Sequence, residues 1–249
     1  MALYNFLAGE AVTGADHDLI EISSSLRGVF ANLERNVDRF GNSRGKVVKY
    51  SEKNLHKSLL HPENGGVELF SQPVLAKDEC EEVFNCELAA LFSLDRGLTI
   101  SANSNIFSIE DLLTASSACS GFLDRFDYLY GYRETQAFGT GFARGYHLVD
   151  QEHPLLWPGK KQIGNWASIV RTSRHLDFIR DVFDVNLFSP SRLESLPREK
   201  RMALSTATEH FGKSAHFHSF IRWDLDNQEQ PRARSFLIEH KVLGAYADD

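Results

Sequence analysis

Strand-like runs occur in adjacent pairs in this sequence, and helical patterns separate the pairs. A strict alternation of one strand with one helix would instead predict a parallel sheet. Adjacent runs can be joined by short hairpins, which connect antiparallel strands. The 249-residue sequence therefore predicts an α+β fold with a largely antiparallel sheet and several flanking helices.

The clearest helical pattern covers residues 16–40, where apolar residues recur at steps of three and four. Asp16 or Asp18 is suited to cap the start of this helix, and Gly41 is suited to end it. A second helix is predicted over 108–126, where Ser108 and Asp111 form a capping-box pattern. Further helices are predicted over 54–61, 165–185 and 197–212.

The strand predictions are less uniform than the helix predictions. Residues 78–94 fit either a helix that begins at Asp78 or, in their later part, a strand over 88–94 that pairs with 98–102. A C-terminal hairpin is predicted, in which the loop 226–234 joins two strand-like runs. Taken together, the predicted strands are 46–50, 67–75, 88–94, 98–102, 128–134, 138–149, 216–225 and 235–243.

No proline- or serine-rich linker divides the chain. The segment 150–164 contains two prolines and two glycines and is predicted to be a long surface loop. It is the one plausible internal boundary. We therefore expect a single α+β domain over residues 1–249, with a possible sub-boundary near 150–164.

The net charge is −7, and it is concentrated in one part of the chain. Residues 61–150 contain 14 acidic and 5 basic side chains, whereas the two flanking segments are each close to neutral. The densest acidic run is Asp78, Glu79, Glu81 and Glu82. This run fits a solvated helix face, or an acidic surface that meets a basic partner, because complementary charge steers association.

Composition excludes several classes of protein. Proteins that bind nucleic acid through phosphate contacts are usually basic, so direct nucleic-acid binding is not expected. Three cysteines do not make a disulfide scaffold. No apolar run approaches the 18 residues of a membrane span. The first residues lack the basic start of a signal peptide, so a cytoplasmic location is expected.

The sequence contains no catalytic motif. The glycines at 139, 141 and 145 have the wrong spacing for a dinucleotide-binding loop. His216 and His218 would share one face of a strand, and they could form a metal site with Asp224, either alone or together with His147. A metal-dependent hydrolase is therefore an alternative function, but ordinary surface or satisfied histidines are the favoured explanation of the pattern. No catalytic residue, metal or cofactor is predicted.

Three tyrosines alternate along the predicted strand 128–134. Tyr128, Tyr130 and Tyr132 would lie on one face, with acidic residues nearby at Asp124, Asp127 and Glu134. Tyrosine supplies a large and rigid contact area, as protein interfaces use it. The pattern fits a partner-binding patch with a charged rim, or a half-buried sheet face.

The segment from Ser108 to Trp157 resembles a known family. It has a helix, then the run Tyr-Leu-Tyr-Gly-Tyr-Arg-Glu over 128–134, a glycine-rich return over 138–142, and Leu-Leu-Trp-Pro-Gly over 155–159. In pattern and order it is similar to the immunity protein 52 family, whose members are paired with restriction-endonuclease-like toxins of type VI secretion systems.

The resemblance implies an immunity protein that binds and neutralises a cognate nuclease toxin and so protects the producing cell. It carries over no catalytic residue. An adaptor or chaperone for a secreted effector is a further alternative. The expected partner-binding residues are Asp78, Glu79, Glu81, Glu82, Asp124, Asp127, Tyr130, Tyr132 and Glu134.

Overall fold

The computed structural model describes residues 4–12, 18–41, 46–71, 87–94, 97–134, 160–172 and 174–247. The strands in these ranges are β1 (Tyr4–Ala11), β2 (Arg39–Gly41), β3 (Val47–Lys49), β4 (Gly66–Phe70), β5 (Leu88–Ser93), β6 (Gly97–Asn103), β7 (Phe126–Glu134), β8 (Val185–Phe188), β9 (Lys213–Phe217) and β10 (Phe220–Asp224). The helices are α1 (Leu19–Asn32), α2 (Glu52–Leu59), α3 (Ile109–Ser117), α4 (Lys160–Arg171), α5 (Pro190–Ser195), α6 (Arg198–His210) and α7 (Glu229–Glu239).

The ten strands form a sheet in the order β3-β2-β4-β5-β6-β1-β7-β8-β10-β9. The pairings between these strands whose register is known are all antiparallel. The predicted α+β class with a largely antiparallel sheet is therefore confirmed. Two compact units share the chain: the first contains Met1–Phe126 and Tyr132–Gly145, and the second contains Asp127–Gly131 and Tyr146–Asp249.

In the first unit, the hairpin alternative for residues 88–94 is confirmed. β5 pairs with β6 in an unbroken register from Leu88↔Ala102 to Ser93↔Gly97. Gly97 has a φ of +80°, and a Cβ atom there would lie 2.1 Å from the carbonyl oxygen of Gly9, so the turn requires glycine. Residues 72–86 and 135–159 lie outside the described residues. Three predicted features therefore lie wholly or mostly outside them: the helix start at Asp78, the strand 138–149 and the loop 150–164.

The predicted helix over 16–40 is too long. α1 begins after Asp18, whose side chain accepts a hydrogen bond from the Ile20 amide, and it ends at Asn32. The Arg35 amide bonds the Phe30 carbonyl and the Glu34 amide bonds the Ala31 carbonyl, which is a Schellman motif. Glu34 occupies the left-handed position with a φ of 55°. Phe40 lies in β2 instead.

The predicted helix over 108–126 is also too long. The Ser108 hydroxyl accepts from the Asp111 amide at 3.1 Å, and the Asp111 carboxylate accepts from the Ser108 amide at 2.7 Å, so the predicted capping box is confirmed. α3 ends at Ser117. A 3₁₀ turn over Leu123–Arg125 then leads into β7, which matches the predicted strand at 128–134.

In the second unit, two helix predictions differ from the structure. α4 covers Lys160–Arg171, so the loop predicted to 164 and the helix predicted from 165 to 185 are both wrong in extent. Val185 begins β8, which pairs with β7 and β10. The helix predicted over 197–212 is confirmed as α6, which follows Pro197.

The C-terminal hairpin is displaced from its predicted position. β9 and β10 form it, with Phe217 opposite Phe220. The predicted loop 226–234 and strand 235–243 instead contain α7, whose first amides are capped by the Asp226 carboxylate. The buried residues of α7 are spaced as on one face of a helix: Gln230, Ala233, Arg234 and Leu237. Two of them, Gln230 and Arg234, are polar.

Among the residues described, no helix combines the length and the apolar character that crossing a membrane requires.

The Schellman motif at the end of α1 yields a prediction for stability. A non-glycine residue in the left-handed conformation costs about 1–2 kcal/mol, and glycine removes this cost but loses about 0.5–1 kcal/mol of chain entropy. We expect Glu34→Gly to raise the free energy of unfolding by about 0.5–1 kcal/mol. Chemical denaturation measures this difference.

Ala31→Gly is the matched control, because Ala31 is exposed within the same helix. Glycine in a helix interior costs about 1 kcal/mol, so this variant should be less stable than the wild type. A destabilised Glu34→Gly protein would contradict the assigned role of Glu34.

Candidate partner-binding surface

The tyrosines of β7 are buried. Tyr128 is fully covered, and Tyr130 and Tyr132 are each 2% exposed. Leu129 on the opposite face is also fully buried, so both faces are covered in the middle of this strand. Tyr130 and Tyr132, which the sequence suggested as partner anchors, are therefore part of the core. A side chain covered to this extent offers no contact area to a partner.

Each of these three rings stacks on an aromatic ring of its own compact unit. The ring centroids are 4.9 Å apart for Tyr128 and Phe188, 4.1 Å apart for Tyr130 and Phe183, and 5.0 Å apart for Tyr132 and Phe6. The interplanar angles are 15° or less. Such stacks contribute about 0.5–1.5 kcal/mol each beyond the burial of their surface.

The predicted acidic residues lie in different surroundings. Asp124 is exposed on the 3₁₀ turn before β7. Asp127 is half-buried, and its carboxylate accepts hydrogen bonds from the hydroxyls of Ser189 at 3.1 Å and Ser191 at 3.0 Å. Glu134 is the last residue of β7. The densest acidic run, Asp78, Glu79, Glu81 and Glu82, lies outside the described residues.

Ion pairs with the rest of the chain change the charge that residues 61–150 present. Glu87 is buried and pairs with Arg35, whose Nε lies 2.6 Å from the carboxylate, so this acid is neutralised. Arg125, a base of the same segment, pairs at 2.5 Å with Glu21, which lies outside it. The charge that residues 61–150 can present to a partner is consequently set by their exposed acids and not by a count along the sequence.

The described residues of the alternative hydrolase site do not form a cluster. His216 lies on β9, but His218 lies in the turn after it with a left-handed φ of 52°, so the expectation that both share one strand face is wrong. Asp224 pairs with Lys213 at the other end of the hairpin. Its carboxylate accepts from Arg222 Nε at 2.8 and 2.9 Å. His147 lies outside the described residues, among which no group of three or more His, Cys, Asp or Glu is placed to hold a metal ion.

The second unit contains a buried ion pair that the sequence analysis missed. Arg234 Nε of α7 donates to Asp181 Oδ1 at 2.8 Å, and both side chains are less than a tenth exposed. The Val182 amide donates to the same carboxylate oxygen at 2.8 Å. Burial raises the pKa of Asp181, and Arg234 opposes that rise. The sequence places Arg180 and Asp181 between apolar neighbours, but nothing in this pattern identifies Arg234 as the partner.

Polar contacts continue from this pair to β7 and β8. Tyr128 Oη lies 2.8 Å from both the Asp181 carbonyl oxygen and Asn186 Oδ1. Asn186 Nδ2 donates to the carbonyl oxygens of Phe183 at 2.8 Å and Trp223 at 3.2 Å. Arg180 donates to the hydroxyl of Tyr130. The network satisfies the backbone of the loop that precedes β8, where a buried carbonyl group without a partner would be costly.

β9 is the most exposed strand of the second unit. The described strand order ends with it, and Lys213, Ser214, Ala215 and His216 are all exposed. The Ser214 hydroxyl donates to the Thr208 carbonyl of α6 at 3.1 Å. The outer edge of β9 therefore presents strand backbone that is accessible to another chain.

The buried ion pair yields a prediction. Arg234→Met leaves the Asp181 carboxylate buried without its cation, so we expect a loss of about 3–5 kcal/mol of unfolding free energy at neutral pH. The folded-state pKa of Asp181 then lies still further above its unfolded value. The folded variant therefore binds the proton more tightly than the unfolded chain, and its deficit should shrink as the pH falls towards about 4.

Denaturation of the Arg234→Met protein at several pH values measures both effects. Arg232→Met is the matched control, because Arg232 is exposed on the same helix and lies 5.5 Å from the ring of Phe211 in a cation–π pair. Its cost should stay below about 1 kcal/mol at every pH. Equal losses in the two variants would show that the ion pair is not the cause.

The burial of the tyrosines yields a second prediction. Tyr130→Ala removes a ring that stacks on Phe183, so we expect a loss of about 3–5 kcal/mol of stability without any partner present. Thermal unfolding of the isolated protein measures it. Stability equal to that of the wild type would contradict the core position of Tyr130.

Comparison with known proteins gives a likeness in fold. No protein-family model matches the chain, and no curated protein matches it. Membership of the immunity protein 52 family is therefore unconfirmed. A solved structure described as Pseudomonas aeruginosa T6SS protein PA0821 is similar, with a TM-score of 0.50 and 9% sequence identity. The match covers 98% of this chain and 73% of that chain. At this identity, the likeness shows that the two proteins share a fold.

Proposed function

We propose that this protein is an immunity protein of a type VI secretion system, which binds a cognate nuclease toxin and neutralises it. The observation that carries the proposal is the match in fold to a T6SS protein of Pseudomonas aeruginosa over 98% of this chain. A likeness that spans almost the whole chain favours a shared role more than the match of one common motif would, although fold alone does not fix function.

The charge of the chain supports the choice of partner. A nuclease binds DNA through a basic surface, and a protein with a net charge of −7 is attracted to such a surface. Exposed acids at the contact would take the place of DNA phosphates and exclude the substrate. Association of this kind is steered by electrostatics and is slowed by added salt.

The acids that we assign to the contact are those of the acidic run at 78–82 and Asp124, whose side chain is exposed. Asp127 is a weaker choice, because it is half-buried and the hydroxyls of two serines donate to its carboxylate. The buried Tyr130 and Tyr132 are not needed for this contact. Neutralisation by occlusion requires no catalytic residue, metal or cofactor from this chain.

Charge reversal tests the assignment. Replacing Asp78, Glu79, Glu81 and Glu82 together by Lys should slow association with the toxin by at least about tenfold at low salt, because rim charges act mainly on the association rate. The partner is the nuclease toxin that a neighbouring gene would encode. Surface plasmon resonance at two salt concentrations measures the rate and its dependence on salt.

A control variant separates a local contact from net charge. Lysine replacements at four exposed acids of the second unit change the net charge by the same amount: Glu194, Glu199, Glu209 and Glu239. We expect this variant to associate clearly faster than the 78–82 variant. If both variants associate with the toxin equally slowly, net charge alone steers association and the acidic run is not the contact. If both variants associate as fast as the wild type, the acidic mechanism is wrong.

A further inference from the structure

The two end strands of the described sheet differ in how they are protected against pairing with another chain. β3 has only three residues, and a very short edge strand is one way in which proteins prevent edge-to-edge association. β9 has five residues and pairs with β10 residue for residue, without a bulge. It contains no proline, and its one lysine stands at its first position. By these criteria, β9 is an open edge.

We propose that β9 pairs antiparallel with β9 of a second copy of this chain, about a twofold axis at Ala215. The proposal is independent of the proposed function. A twofold axis at the central residue of a five-residue strand pairs all five residues of each copy. Closed twofold dimers are the commonest protein oligomers, and an added strand satisfies the backbone groups of an open edge.

The side chains are complementary in this register. Lys213 would lie opposite Phe217 of the second copy, Ser214 opposite His216, and Ala215 opposite Ala215. The first pair suits a cation–π contact, the second suits a hydrogen bond, and the small alanines meet at the axis. Like charges directly opposite each other would destabilise a strand pair, and this register places none opposite each other.

The charges of the two copies are also well separated. The two Lys213 residues would be four residue positions apart along the strands, or about 13 Å. This exceeds the Debye length of about 8 Å at physiological salt, so their repulsion is largely screened. Arg222, which pairs with Ala215 across the hairpin, is held by Asp224 at 2.8 Å and adds little unbalanced charge at the axis.

The orientation of the side chains leaves room for a second strand. Ser214 and His216 point to the sheet face on which α6 lies, as the bond from Ser214 to the Thr208 carbonyl shows. Lys213, Ala215 and Phe217 point to the other face, where Arg222 lies 6.0 Å from the ring of Phe217. Neither set points along the edge itself. A strand pair of this size buries a small area, so the dimer should be weak and depend on concentration.

Register-specific crosslinking tests the proposal. In a dimer of the Ala215→Cys protein, the two introduced thiols would face each other with the Cα atoms about 5 Å apart, within the range of a disulfide. The full-length Ala215→Cys protein should therefore form a covalent dimer under mild oxidation. Lys213→Cys alone should not, because its two copies would be about 13 Å apart. A mixture of Lys213→Cys and Phe217→Cys proteins should form the mixed dimer.

The wild-type protein under the same oxidation controls for the three native cysteines. Sedimentation velocity of the wild type should show a mass that rises towards twice that of the monomer as concentration increases. A wild type that stays monomeric, or crosslinking that is equally efficient at 213 and 215, overturns the proposal. If the chain is monomeric but a bound toxin protects the thiol of the Ala215→Cys protein from alkylation, the toxin binds this edge and self-pairing is wrong.

Discussion

Antiparallel pairing of backbone hydrogen bonds is the constraint on which this structure depends. A strand inside a sheet must satisfy its N–H and C=O groups on both sides, and its side chains then meet whatever covers the two faces. β7 lies between β1 and β8 in the strand order, and its tyrosines are covered by aromatic rings of their own compact units. The same constraint is incompletely met at β9, where the described order ends. The alternating tyrosines of β7 therefore belong to the core, whereas β9, which contains His216, is an exposed strand with an open edge.

Buried charge in the second unit is the other organising feature. A buried ion pair contributes little net stability compared with apolar residues of the same volume, but loss of one partner is costly. The Asp181–Arg234 pair connects α7 to the loop before β8, and Tyr128 and Asn186 form hydrogen bonds with backbone groups of that loop. The arrangement specifies one way of packing α7 against this loop, because any shift would leave a charge buried alone.

Sequence patterns predicted the elements with local signals and missed those set by tertiary contacts. The capping box at Ser108, the strand 128–134 and the helix after Pro197 each follow from residues within one element. Phe40 fits the helical spacing of α1 by coincidence, because a Schellman motif at Glu34 ends the helix first. The sequence pattern predicts a loop and a strand where α7 lies, because two of the four buried residues of this helix are Gln230 and Arg234. A hydrophobic pattern cannot reveal a face whose buried residues are polar, and the partner of Arg234 lies 53 positions away.

The candidate site was predictable in part. Charge counting located the acidic segment, but it could not show that Glu87 is buried against Arg35. Alternation placed the three tyrosines on one face, but two alternatives remained open, and only the structure shows that the face is buried. The sequence predicts His218 to be a strand residue, because the two-residue spacing from His216 to His218 does not show where the turn begins.

The central claim is that this chain neutralises a secreted nuclease, and a growth-rescue assay tests it most directly. Cells that express the active toxin encoded beside this chain's gene should die when this protein is absent. They should survive when this protein is co-expressed at a comparable level. Survival that is lost with the 78–82 charge reversal and kept with the Glu194, Glu199, Glu209 and Glu239 reversal is the predicted result. Stable binding of the toxin without any rescue would contradict the claim and indicate an adaptor or chaperone instead.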